Sequence, residues 1–175
     1  MRTISIQYYP TRIGELILGD HEGCLCLLDY RYRKLRARVD DRIKNGLQAC
    51  FRESDTQLLK TTRKQLDEYL DGTKKQFDLP LLMIGSAFQK KVWTALMAIP
   101  YGATTSYFEL ARSIGNEKAV RAVAGANGAN AMSLVIPCHR VIGSNGELVG
   151  YGGGLAVKRK LLHLEQVSQQ LSLDF

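Results

Sequence analysis

Charge is spread so unevenly along this 175-residue chain that it divides the sequence before any periodicity is read. The first 85 residues carry 15 basic and 12 acidic side chains. The remainder carry 9 and 5, and are rich instead in Gly, Ala, Asn and Ser. A dense mixture of both signs implies a small core under a well-solvated shell. The change follows Pro80 and sets the expected domains at residues 1–82 and 83–175. With 45% apolar residues the chain can bury a core. No apolar run approaches the roughly 18 residues of a membrane span, and the first ten residues, MRTISIQYYP, lack the apolar stretch of a secretory signal. Cys24 and Cys26 lie two apart, with Cys50 and Cys138 elsewhere. The expectation is a cytoplasmic protein with reduced thiols and no membrane association. A net charge of +7 permits an anionic partner.

The first part reads as a small α/β unit. Residues 2–9, Glu15–Leu18 and Cys24–Leu28 have strand character, and the turn signal Asp20–His21–Glu22–Gly23 makes the latter two a hairpin. Asp55–Leu70 has a helical apolar stripe, with Ser54 or Asp55 as its cap and Gly72 as its stop. The basic run Arg31–Arg38, RYRKLRAR, is either a solvated face or a patch that touches phosphates. His21, Cys24, Cys26 and Cys50 lack zinc-site spacing, so no metal is expected.

The second part reads as mainly helical. Ser86 caps a helix with Phe88, Val92, Trp93, Leu96 and Met97 at helical spacing, and Trp93 is a core residue. Thr105 or Ser106 caps a short helix through Arg112, which Gly115 stops. Asn116 caps another through about Asn127. The pair has the outline of a helix-turn-helix. The second of these helices lies in KAVRAVAGANGAN, residues 118–130, which is almost all small side chains around Arg121. Either the helix packs closely inside the protein, or it enters a nucleic-acid groove. The fold expectation is α+β: an N-terminal α/β domain and a helical C-terminal domain.

Chemistry concentrates further on. Ser133–Ile136 suits a buried strand and leads into Pro137–Cys138–His139–Arg140. A thiol flanked by His and Arg sits in a positive field that favours the thiolate, and Pro137 stiffens its approach. A nucleophilic cysteine needs a base and the base an orienting group. His139 is the adjacent base. On an extended segment neighbours face opposite ways, so a bend after Pro137 or a bridging water has to connect it with Cys138. Glu165, closing LLHLE, is the orienting carboxylate to test. His163 reads as a helix-surface or core residue.

Ile136–Pro137–Cys138–His139–Arg140–Val141 resembles the active-site motif of the O6-alkylguanine-DNA alkyltransferases, the methylated-DNA–protein-cysteine methyltransferases. The resemblance spans about residues 85–165. It includes Arg121 in a small-residue helix, Asn130 eight residues before Cys138, Gly150–Tyr151–Gly152–Gly153–Gly154 and the closing LLxxE. It implies a stand-alone bacterial-type, single-turnover repair protein without a cofactor. Its partner would be double-stranded DNA containing O6-alkylguanine, met by a monomer. Cys138 would take the alkyl group, with His139 and Glu165 behind it. Tyr107 would help rotate the nucleotide and protonate the leaving guanine, and Asn130 would support the active-site turn. Pro137, Val141, Tyr151, Gly152 and Gly153 would line the pocket; some relatives carry serine at the position of Gly152. DNA contacts would fall to Lys118, Arg121, Ala122 and Asn127, and to Thr105 and Ser106 ahead of the first helix. The competing readings are a lesion binder without chemistry, which Cys138 argues against, a cysteine hydrolase, and a helix-turn-helix regulator.

Overall fold

The structure, a computed structural model, describes residues 1–173, with side chains described as far as residue 166. Two compact units divide the chain, one formed by Met1–Ser86 and the other beginning at Ala87.

In the first unit, β1 (Arg2–Thr11), β2 (Gly14–His21) and β3 (Cys24–Tyr30) form an antiparallel meander. β2 and β3 are apolar over most of their length and largely buried, with Leu16, Leu18, Leu25, Leu27 and Leu28 fully inaccessible. Their hairpin turns through Glu22 and Gly23, both at positive φ (51° and 82°). That twist matches the strands it joins, and glycine accepts it without steric penalty. β4 (Ala49–Glu53) completes the sheet, parallel to β1, in the order β3-β2-β1-β4. A parallel neighbour requires a crossover, which α1 (Arg36–Leu47) supplies. Neither α1 nor β4 was expected. α1 buries only Val39 and Ile43, too thin a stripe to stand out from its charges.

α2 (Gln57–Leu70) was expected, but its cap is Thr56 rather than Ser54 or Asp55. Thr56 Oγ1 accepts from Leu59 N at 3.1 Å and donates to Asp20 Oδ2 at 2.6 Å, joining the helix start to the sheet. Ser54 bonds Ser5 instead, and Asp55 holds Arg63. The chain then returns to the edge of β3, where Leu25 pairs with Pro80 and Leu82 through backbone bonds.

Several arginines of the basic run are tied down by carboxylates of the first unit. Arg33 and Arg36 both reach the fully buried Asp29, at 2.9 and 3.0 Å. Arg36 also holds Asp40, and Arg31 pairs with Glu15 while stacking over Tyr8. Lys34 and Arg38 remain exposed.

The second unit contains α3 (Ala87–Met97), β5 (Thr105–Ser106), α4 (Tyr107–Ser113), α5 (Val120–Gly128), β6 (Val141–Ile142) and α6 (Leu155–Leu173). Trp93 is buried, and its indole N–H donates to Ala126 O at 2.8 Å. Ser106 caps α4 by accepting from Glu109 N, and Gly115 turns the chain with φ at 75°. Asn116 makes no capping bond. A 3₁₀ turn over Glu117–Ala119 starts the second helix, so the regular helix begins only at Val120. β5 and β6 pair in parallel, Thr105 with Val141 and Ser106 with Ile142.

Residues 133–136 are not the strand that their apolar run suggested; they form a turn with Leu134 at φ 71°. Asn130 explains it. Its side chain accepts from Met132 N at 2.9 Å and donates to Ile136 O at 2.8 Å. These bonds satisfy backbone groups that would otherwise need a strand partner. Leu134 keeps the strained φ because its side chain is buried.

Candidate active site

Cys138 opens a 3₁₀ turn, Cys138–Arg140, between the turn built by Asn130 and the short β6. Pro137, at φ −80° and ψ 62°, precedes it and accepts from Arg140 N through its carbonyl. This is a bend directly after Pro137, which removes the opposite-face geometry of an extended segment. Cys138 is 5% exposed, and His139 is completely buried.

Glu165 on α6 gathers the turn. His139 Nε2 lies 2.8 Å from its Oε1. Arg140 donates from Nε to Oε2 at 2.9 Å and from Nη2 to Oε1 at 2.8 Å, and Gly102 N donates to Oε2 at 3.2 Å. Burial works to raise the pKa of Glu165. The hydrogen bonds and positive charge of His139 and Arg140 outweigh it and hold the carboxyl at about 2. Burial pushes the His139 pKa below the ordinary imidazole value, against the pull of Glu165. The charged pair is therefore Arg140–Glu165, and His139 is a neutral imidazole at neutral pH. With Nε2–H donated to the carboxylate, Nδ1 is the basic nitrogen.

This arrangement corrects one expectation. Arg140 does not supply an open positive field for Cys138: its charge is spent on Glu165, its Nη1 donates to Ile99 O at 2.7 Å, and its guanidinium lies over Tyr101.

Tyr107, the first residue of α4, donates its hydroxyl to Val149 O at 3.1 Å. Its pKa is raised, first by burial and then by the nearby Cys138, while a hydrogen bond from Asn127 opposes the rise. Its hydroxyl therefore stays protonated at neutral pH. Tyr151 presents an edge to the His139 ring, 6.4 Å between centroids. Gly152 and Gly153 are half-buried in the following loop, and Val141 is buried in β6.

The residues expected on DNA divide into two groups. Lys118, Arg121 and Ala122 are exposed, together with Ala124, Gly125 and Gly128. Around Gly125 and Gly128 a Cβ would meet nothing within 4 Å. Internal packing therefore does not require small residues on that face. Asn127, in contrast, is buried at 7% exposure and turned to Tyr107. Thr105 and Ser106 are half-buried in the β5–β6 pair, with the Ser106 hydroxyl used as a cap. Asn127 and Ser106 thus use their side chains within the unit, and Thr105 pairs with Val141 through the backbone. His163 is exposed on α6. In the first unit, Cys26 is buried with its thiol 3.5 Å from Gly19 O, and burial pushes it up to about 12.

Sequence reasoning missed Lys158. It is fully buried, and its Nζ donates to Val141 O, to Val149 O at 3.1 Å and to Gly150 O at 3.2 Å. The signal was available, because Lys158, Leu161, Leu162 and Glu165 share one helical face by spacing.

Comparison with known proteins gives this geometry a family. The 6-O-methylguanine DNA methyltransferase DNA-binding domain matches residues 87–167, and the ribonuclease-like domain of the same proteins matches residues 4–83. The methylated-DNA–protein-cysteine methyltransferase of Methanosarcina acetivorans is 43% identical over 90% of this chain and 95% of its own. The constitutive enzyme of Bacillus subtilis is 40% identical over 93% and 98%. A crystal structure of Mycobacterium tuberculosis OGT in complex with DNA superposes with a TM-score of 0.80 at 36% identity, covering 94% of both chains. With both domains matched and relatives 40–43% identical over at least nine-tenths of the chain, the chain belongs to the methylated-DNA–protein-cysteine methyltransferase family.

Proposed function

We propose that this protein repairs double-stranded DNA by transferring the alkyl group of O6-alkylguanine to its own Cys138, once per molecule, acting as a monomer without a cofactor. The observation that carries this reading is the 3₁₀ turn that sets Cys138 beside a neutral His139 held by the Arg140–Glu165 pair. Cys138 Sγ attacks the alkyl carbon, so the S–C bond forms as the C–O6 bond breaks. The thiol proton passes through a bridging water to His139 Nδ1, and Glu165 stabilises the resulting imidazolium. Tyr107 protonates the departing guanine, and the proton on His139 restores the balance. The net change is exchange of an alkyl group for a proton between guanine and thiol. A backbone N–H of Gly152–Gly153 beside Tyr151 is suited to the charge developing on O6. Every side chain invoked comes from one chain, in keeping with a monomer. The test is a titration of O6-methylguanine duplex with protein, read as residual O6-methylguanine after DNA hydrolysis. Loss of one lesion per protein, without turnover, is expected. Continued turnover would point to a hydrolase, and no loss to a lesion binder.

The alkylated base is out of reach inside a duplex and must be rotated out. The exposed face of α5 supports entry into the minor groove, with Arg121 filling the space the base leaves. Two substitutions separate binding from chemistry. Arg121→Ala should slow repair of duplex about tenfold or more, the loss of one charged hydrogen bond, while reaction with free O6-benzylguanine stays near wild type. Gly125→Leu should raise the melting temperature, because leucine is the better helix former by nearly 1 kcal/mol and has open space around it. The same variant should weaken duplex binding by crowding the groove. Equal losses on both substrates, or undiminished duplex binding by Gly125→Leu, would contradict this placement of the helix.

A further inference from the structure

The Arg140–Glu165 pairing leaves a question of charge. In the second unit two cationic side chains, Arg140 and Lys158, are buried among the described residues. Only Arg140 has a carboxylate partner there. Lys158 is surrounded instead by the carbonyls of Val141, Val149 and Gly150. Three carbonyl dipoles satisfy its three N–H donors but cannot cancel its charge, and a buried charge without a counterion is costly. Val141 stands three residues after Cys138 and is covalently part of the same turn and strand. Val149 O is shared between Lys158 Nζ and the Tyr107 hydroxyl.

We propose that Lys158 is a positioning residue of the alkyl-transfer site: its ammonium clasps both ends of the 142–148 segment, fixes the Tyr107 hydroxyl through the shared Val149 carbonyl, and supplies the positive charge that stabilises the Cys138 thiolate. The groups facing Cys138 are few. His139 and Arg140 of its own turn are engaged with Glu165 of α6. Tyr107 of α4 is held protonated. Burial lowers the pKa of Lys158 while Cys138 raises it. The clasp also uses the Val141 carbonyl, so the segment that would frame the guanine is anchored on the residue that sets the charge.

This inference rests on Cys138 being the nucleophile. Lys158→Gln keeps two N–H donors for the carbonyls and removes the charge; Lys158→Met removes both. Alkylation of Cys138 by iodoacetamide, followed by peptide mass spectrometry across a pH series, reads the thiolate directly. The Gln variant should move the profile up by about one pH unit, the usual effect of a neighbouring opposite charge. Both variants should react with free O6-benzylguanine about tenfold more slowly. A Gln profile that superimposes on wild type, with an unchanged benzylguanine rate, overturns the proposal. A measurement on the unmutated protein covers the case where the variants fail to fold. The ¹³Cε resonance of Lys158 should titrate at lower pH once Cys138 is alkylated, because its counterion is gone; an unchanged titration overturns the proposal equally. Methyl transfer to a residue other than Cys138 would sink the nucleophile assignment instead, so the two failures are distinguishable.

Discussion

Cys138→Ala should abolish alkyl transfer completely and leave binding to undamaged duplex within a few-fold of wild type. On the proposed mechanism the thiol carries the reaction, since no other group in the turn offers a nucleophile of comparable strength. Its removal takes one small atom from a site that stays tied together by Asn130, His139, Arg140 and Glu165. The other three cysteines, Cys24, Cys26 and Cys50, belong to the first unit. Gel-shift titration for binding and lesion analysis for transfer check the two halves of the prediction separately. Residual stoichiometric transfer by the alanine variant would remove Cys138 from the mechanism. Loss of DNA binding along with activity would mean that the thiol turn has a structural duty not seen in its contacts.

Glu165→Gln has the second largest expected effect, and it acts on stability as well as rate. The carboxylate accepts from His139, Arg140 and Gly102, and a glutamine offers only one acceptor oxygen among those donors. The Arg140 guanidinium, with its side chain 8% exposed, would be left buried without a counter-charge. Breaking a buried pair in this way costs about 3–5 kcal/mol. Alkyl transfer should slow by about two to four orders of magnitude, because the imidazole loses both its orientation and the anion that stabilises its protonated form. The sign of the pH dependence is fixed by the direction of the shift. Glu165 is held at about 2 in the folded protein, below its unfolded value near 4.3. Its contribution to stability is present above the unfolded value and is lost as pH falls toward 2. The variant should therefore be less stable at neutral pH and lose less stability on acidification through that window. Because burial lowers the His139 pKa, the transfer rate of the unmutated protein should stay high down to a pH below the ordinary imidazole range of about 6.5. A midpoint at or above that range would mean that the imidazole is not the buried neutral base described here.

The sequence conveyed chemistry better than it conveyed local geometry. Pro137–Cys138–His139–Arg140 was legible because a reactive thiol needs identifiable neighbours, and Glu165 because a base needs an orienting carboxylate. How His139 and Glu165 meet depends on a 3₁₀ turn that an apolar run followed by proline does not announce. Residues 133–136 read as a strand because strand and buried turn share the same apolar composition. Only the side chain of Asn130, bonding to residues two and six positions on, decides between them. α1 was hidden by charge, since two buried residues in twelve leave little periodic signal. Arg140 illustrates a different limit. A cation beside a cysteine in sequence looks like the source of a positive field, but the fold brings Glu165 to it from 25 residues away and cancels it. Lys158, 20 residues from the thiol, is buried against the carbonyls of Val141, Val149 and Gly150, and adjacency in sequence could not reveal it.

The destination of the alkyl group decides between direct transfer and every alternative. Intact-protein mass spectrometry after incubation with a duplex containing one O6-methylguanine, followed by peptide mapping, reads it directly. The prediction is a single added methyl group per protein, saturating at one and located on Cys138. An unchanged mass with bound but unaltered DNA, or a methyl group mapped to any other residue, would contradict the account.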